Sequence, residues 1–157
     1  MNKFDLMEAE GAAERDFREQ FEDVLDEFGS LVKKPLYLDE DGVSTFAVDD
    51  ESLVHLKYLD ESDTIVAFSP VGAFGGVDAP DAGEKALELL RLCELGGPTQ
   101  GFALALDEDA DLVLAMDRRT ALEISSADAL AAWIEALVGA VRAVRDDFAN
   151  RFPVKEV

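Results

Sequence analysis

The sequence predicts an α+β fold in the order helix, three strands, helix, two strands, helix, and three observations carry that prediction. Apolar residues recur at helical spacing near the start and again over the last third of the chain. Between them lie short runs of alternating or β-branched residues. They are parted by short acidic turns, which join antiparallel strands, because a parallel return needs a long crossover. An unusually apolar helix with a glycine-rich exit falls after the third strand, so strands and helices do not alternate as a parallel sheet would require.

The first helix is expected over residues 13–28. Phe17, Phe21, Val24, Leu25 and Phe28 are spaced four, three, one and three apart, and Glu19, Glu22, Asp23 and Asp26 form the opposite, solvated face. This stripe suits two roles, core packing or contact with a ligand. Gly29-Ser30 reads as the helix stop, and residues 1–13 read as loose. Residues 35–38 are a short extended piece, and 39–42 a turn in which Gly42 supplies the positive φ. Strands follow at 43–48, 52–59 and 64–69. In the second, Leu53, His55 and Lys57 take one face and Val54, Leu56 and Tyr58 the other. Residues 70–80 form a glycine-rich loop holding Val71, Phe74 and Val77.

The second helix is expected over 81–95, with Asp81 and Glu84 at capping-box spacing and Gly96-Gly97-Pro98 as its end. Leu87, Leu90 and Leu95 lie on one side of it, and Leu89, Leu92 and Cys93 flank them. That is more apolar surface than a helix with one wet face carries. Phe102, Leu104 and Leu106 then alternate, turn at 107–111 and are answered by Leu112, Leu114 and Met116. An apolar helix tied to an apolar hairpin calls for a partner. The expected partner is a second copy of the chain, with Leu87, Leu90, Leu95, Phe102 and Leu104 in the dimer interface. Residues 118–124 read as irregular, and Ser125 or Ser126 caps the last helix. Its stripe is Leu130, Ile134, Leu137, Val141, Val144 and Phe148, widened by Trp133 and Val138, and it runs to about residue 150. Residues 151–157 read as a tail containing Pro153. Without repeats or linkers, one domain over 1–157 is the expected organisation.

The 157 residues are 48% hydrophobic, enough for a core, and carry 35 acids against 14 bases, a net charge of -21. Such a field repels phosphate backbones and anionic membranes and favours basic partners, so neither nucleic acid nor membrane insertion is expected. The acidic N-terminal stretch lacks the apolar core of a secretory signal. The lone cysteine cannot form an intrachain disulfide, which fits a reducing cytoplasm.

Catalytic signatures do not emerge. His55 is the sole histidine and sits in a strand, and Cys93 sits inside an apolar helix. Gly72, Gly75 and Gly76 lack dinucleotide-loop spacing. Asp107, Asp109 and Asp111 open like a calcium loop, but Leu112 replaces the turn glycine and Arg118 the bidentate glutamate. No catalytic, cofactor or metal residue is therefore assigned, and the chain is not expected to be an enzyme.

The order of elements, the size and the acidity resemble the class I type III secretion chaperones of the CesT or Tir-chaperone family. FEDVLDEFG resembles that family's first helix. LDEDGVSTFAVDDESLVHLKYLDESDTIVAFSPVGAF resembles its three-strand meander. LELLRLCELGGPTQGFALALDEDADLVLAMD resembles its second helix, break and hairpin, and SSADALAAWIEALVGAVRAVRDDF its last helix. The chain departs from the pattern at residues 91–94, where a polar helix end is usual, and at Pro98. The resemblance implies a cytoplasmic homodimer without catalysis. Such a dimer holds an N-terminal segment of a secreted effector, extended and export-competent, without ATP. It places guest contacts on the first helix and the neighbouring sheet, matching Phe17, Phe21, Val24 and Phe46. Two other readings are a chaperone-fold regulator that sequesters a small protein controlling secretion genes, and a generic α+β interaction domain.

Overall fold

A computed structural model of the chain describes residues 3–151. The elements follow the predicted order: α1 (Lys3–Leu31), β1 (Val43–Asp49), β2 (Ser52–Leu59), β3 (Thr64–Ala73), α2 (Ala82–Leu92), β4 (Ala103–Asp107), β5 (Leu112–Thr120) and α3 (Ala127–Arg151). The fold is α+β, with an antiparallel sheet whose strand order is β1-β2-β3-β5-β4. β1 and β4 are therefore its edges. In the β4–β5 hairpin, Ala103 faces Met116 and Asp107 faces Leu112.

Element ends differ from expectation for identifiable reasons. α1 starts at Lys3 rather than near residue 13, and the intervening EAEGAAER is rich in strong helix formers. Its other end lies beyond Gly29-Ser30. Lys33 takes the left-handed position at φ 60, the Lys34 amide donates to the Gly29 carbonyl at 2.8 Å, and the Lys33 amide donates to the Ser30 carbonyl at 3.3 Å. This is a Schellman cap with lysine where glycine is usual. Gly29 serves a close approach instead, since a Cβ there would lie 2.5 Å from the Lys34 carbonyl oxygen.

β3 continues through Pro70 to Ala73. Proline gives up a ladder amide. At the preceding residue, the Ser69 hydroxyl donates to the Leu53 carbonyl at 2.6 Å and adds a bond to β2. β5 likewise runs on to Thr120. α2 stops at Leu92, so Leu95 falls in the following turns. Asp81 stands at its N-cap but makes no side-chain cap bond, and pairs with Lys85 at 3.2 Å instead. Ser126 does cap α3, its hydroxyl accepting the Ala129 amide at 3.1 Å. The expected tail begins at Arg151, which ends α3, and residues 152–157 lie outside the described residues.

The packing divides into two compact units. The first comprises Met1–Phe46, His55–Val66 and Arg118–Trp133. Its core includes Phe21, Leu25, Phe28, Phe46, Leu56, Tyr58, Ile65 and Leu130. Phe21 stacks on Tyr58 with ring centres 5.7 Å apart, and Phe28 meets Phe46 at 6.0 Å. The second unit comprises Ala47–Val54, Ala67–Asp117 and Ile134–Val157. There Val71, Phe74, Leu89, Phe102, Val113, Leu137, Val141 and Val144 are buried. Arg145 of α3 donates to three backbone carbonyls, those of Val71 (2.8 Å), Glu51 (3.1 Å) and Pro70 (3.2 Å).

Candidate functional site

Two surfaces collect the residues singled out from the sequence. On α1, helical spacing puts Phe17, Phe21 and Val24 on one stripe, but tertiary packing treats them unequally. Phe21 is 1% exposed, and Val24 and Phe46 are also buried. Only Phe17 keeps partial access to solvent. For the two phenylalanines the reason is ring packing between α1 and the sheet: Tyr58 of β2 stacks on Phe21, and Phe28 of α1 meets Phe46 of β1.

The α1 stripe is also pinned electrostatically. Arg18 donates to both carboxylate oxygens of Asp60 at 2.7 and 2.8 Å and to Glu22 at 3.1 Å, and its guanidinium lies 5.9 Å from the Tyr58 ring centre. The Tyr58 hydroxyl donates to Asp63 at 2.6 Å. Burial, and then this bond, push the Tyr58 phenol well above the usual range.

The same unit exposes apolar residues that periodicity did not select: Leu31, Val32 and Tyr37, the last 71% exposed. They accompany a groove of about 300 Å³ lined by Asp26, Gly29, Ser30, Lys33, Lys34 and Pro35. β1 is an edge strand of the sheet, and a sheet edge is where an extended segment can add a strand. The short apolar run of Leu36, Tyr37 and Leu38 between Lys33-Lys34 and the acidic 39–41 was the available sequence signal. On β2, predicted alternation holds, with Val54, Leu56 and Tyr58 buried and Leu53 and Lys57 exposed. His55 is half-buried with Nδ1 2.8 Å from the Thr45 hydroxyl, and burial pushes its pKa down.

The second surface lies on α2 and the β4–β5 hairpin. Leu89 and Leu92 turn inward, while Leu87 and Leu90 are exposed, Leu90 by 69%. Leu95 is fully exposed. A groove of about 240 Å³ runs beside them, lined among others by Phe74, Leu89, Leu90, Cys93, Leu104 and Leu106. Of the five predicted interface residues, Leu87, Leu90 and Leu95 are open and Leu104 is half-buried in the groove. Phe102, 6% exposed, belongs to the core. Glu88, unremarked in the sequence, is buried on α2 with Arg91 3.6 Å away.

Among the described residues, no group of three or more His, Cys, Asp or Glu side chains could hold a metal ion. No helix among them is long and apolar enough to cross a membrane. No curated protein matches the sequence. Residues 23–145, most of the chain and all of both surfaces except the Phe17 end, match the Tir chaperone protein (CesT) family.

The chain belongs to the Tir chaperone protein (CesT) family. Solved structures similar to this CesT-family chain share its fold. A chain of the HopA1-SchA chaperone-effector complex is 20% identical with a TM-score of 0.61, over 82% of this chain and 95% of that one. A chain of the ExsC-ExsE complex is 18% identical with a TM-score of 0.65, over 82% and 92%. A chain from the complex of the Yersinia pestis type III secretion chaperone SycH with a stable fragment of YscM2 is 23% identical, with a TM-score of 0.56, over 79% and 97%.

Proposed function

We propose that this chain is a type III secretion chaperone: a cytoplasmic, non-enzymatic homodimer, built on a single chaperone-like domain, that holds an N-terminal segment of a secreted effector without ATP. The observation that carries the reading is the match of residues 23–145 to the Tir chaperone family. The HopA1-SchA and SycH structures hold their chaperones with an effector and with a protein fragment, respectively, which is the behaviour proposed for this chain.

The two surfaces divide the work. The α2–β4 face offers exposed leucines beside an apolar groove on one patch, the self-complementary arrangement that a two-fold interface uses. Leu87, Leu90, Leu95 and Leu104 are its contacts. The guest surface starts at Phe17 and includes the exposed Leu31, Val32 and Tyr37 and the edge of β1. Phe21, Val24 and Phe46 are buried and support this surface from the core rather than touching the guest. An extended guest gains main-chain bonds at a strand edge and places alternate side chains in apolar pockets. The acidic field speeds encounter with a basic guest.

Affinity capture of the tagged chain from its native cell, followed by mass spectrometry, tests the reading. The expected catch is an exported protein whose binding is lost when its N-terminal segment is removed. Recovery of only a small regulatory protein would overturn the chaperone role in favour of sequestration.

A further inference from the structure

The turn between β4 and β5 closes with its own bonds. The Asp107 carboxylate accepts the Ala110 amide at 3.2 Å, and the Asp111 amide donates to the Glu108 carbonyl at 3.3 Å. The Asp111 side chain takes no part in that closure. It reaches instead to the loop between β3 and α2, where its two carboxylate oxygens accept the Gly75 amide at 3.0 Å and the Gly76 amide at 2.9 Å. Its backbone carbonyl accepts the Phe74 amide at 2.9 Å. Asp111 does this at φ 55, a left-handed conformation uncommon outside glycine, while Gly75 and Gly76 hold φ 95 and 91. Three bonds converging from one turn residue onto a neighbouring loop are a reason to ask what it positions.

The same loop is gripped from α2. The Lys85 ammonium donates to the Phe74 carbonyl at 3.0 Å, lies 5.9 Å from the Phe74 ring centre and pairs with Asp81 at 3.2 Å. A Cβ on Gly75 would lie 2.6 Å from that ammonium and would push it aside, and φ 95 is itself a conformation that side chains rarely adopt. Phe74, 3% exposed, is thus fixed through its amide by the hairpin and through its carbonyl by α2. It contributes to the lining of the α2–β4 groove, with Leu89 and Leu90 from α2 and Leu104, Leu106 and Val113 from the hairpin. One clasp therefore ties together the elements on which the groove and its exposed leucines are mounted.

We infer that Asp111 is a positioning residue for self-association: its carboxylate, with Lys85 opposite, sets the spacing of α2 against the β4–β5 hairpin and so the shape that a second copy meets. The inference rests on the proposed homodimer and adds to it a residue that stands outside the leucine contacts. An interface read by shape loses affinity when its parts are free to shift, because the ordering must then occur on association. In the intact protein the clasp supplies that ordering in advance.

The test measures the dimer dissociation constant of the full chain by sedimentation over a dilution series, with circular dichroism reporting the fold of each variant. Asp111→Asn keeps the size and tolerates the left-handed backbone, but offers one acceptor and one donor where two amide hydrogens converge. Asp111→Gly frees the backbone and deletes the carboxylate. Both are expected to weaken the dimer by about tenfold or more while the dichroism spectrum stays unchanged. Asp109→Asn, on the same turn, is expected to bind as wild type. Lys85→Met keeps an unbranched apolar side chain and removes the ammonium, so it carries the test if an Asp111 variant fails to fold. It too is expected to weaken the dimer.

Leu90→Asp separates the two claims. A wild-type dimer that Leu90→Asp splits, with the constants of Asp111→Asn, Asp111→Gly and Lys85→Met unchanged, overturns the clasp and leaves the dimer standing. A wild-type chain that is monomeric throughout overturns the dimer and the clasp with it. A lower melting temperature without a change in dissociation constant assigns Asp111 to stability alone and also overturns the inference.

Discussion

Phe17 and Phe21 sit four residues apart on one helix face, yet the sheet makes one of them core and leaves the other partly open. Burying a carboxylate costs several kcal/mol against a total stability of about 5–15 kcal/mol. Phe21→Asp is therefore expected to unfold the protein, or to lower its thermal midpoint steeply by circular dichroism. Phe17→Asp is expected to stay folded and to lose the captured partner in calorimetry. Normal binding by Phe17→Asp would move the guest site away from this end of α1. Tyr58 gives a pH test whose sign follows from its environment. Its folded-state pKa is raised above the ordinary value near ~10, so the fold prefers the protonated phenol. That contribution is fully present below the unfolded pKa and is lost as pH rises above about 10. The midpoint of wild type is expected to fall more steeply over this range than that of Tyr58→Phe. Other groups titrate in both proteins, so parallel curves would remove the proposed linkage.

At the scale of elements, two helix glycines are expected to respond to alanine with opposite signs. In an exposed helix interior, alanine is better than glycine by about 0.8–1.0 kcal/mol. Gly139 on α3 has open space where a Cβ would go, so Gly139→Ala is expected to raise the thermal midpoint. Gly29 lies within α1 too, but a Cβ there would meet the Lys34 carbonyl oxygen at 2.5 Å, and that carbonyl is backbone and cannot swing aside. Gly29→Ala is expected to lower the midpoint despite the helix propensity. Helix starts make a second contrast. Ser126→Ala removes a cap bond that exists and should cost about 1 kcal/mol. Asp81→Ala removes no cap bond, only a half-buried i,i+4 pair with Lys85, worth about 0.2–0.5 kcal/mol. Chemical denaturation of the two variants ranks them, and equal losses would contradict the capping assignment.

For the whole molecule, the exposed leucines of α2 and a net charge of -21 act in opposite directions on self-association. Burial of apolar surface is short-ranged and insensitive to salt, whereas repulsion between like-charged copies is screened within about 10 Å at 0.1 M salt. The wild-type chain of 17.1 kDa is expected to sediment at twice that mass at micromolar concentration, with the dimer tightening as salt is added. Leu90→Asp is expected to sediment as a monomer. Association with a basic guest should show the reverse salt dependence, its on-rate falling as ionic strength rises. EDTA is expected to leave the thermal midpoint unchanged, and a large drop would reveal a metal contribution to folding.

By itself the sequence determined the class and order of elements, the strand alternation of β2, the apolar stripe of α3 and the family pattern. These are local properties: a period of 3.6 or 2, a cap, a turn and a spacing are written in neighbouring residues. It also pointed to α2 as a helix with more apolar surface than one domain absorbs. Only the tertiary structure decided which side of each stripe is used. Phe21, Val24 and Phe46 look as available as Phe17 in one dimension. All three are buried, and for the two phenylalanines the cause is a ring distant in sequence: Tyr58 against Phe21 and Phe28 against Phe46. Gly29 and Asp111 carry the same lesson. One was read as a helix stop and the other as a turn residue, yet each answers to a segment folded against it: the backbone at Lys34, and the amides of Gly75 and Gly76. Hydrogen bonds and steric contacts act over a few ångströms in space, and residues 35 positions apart enter that range only once the chain has folded.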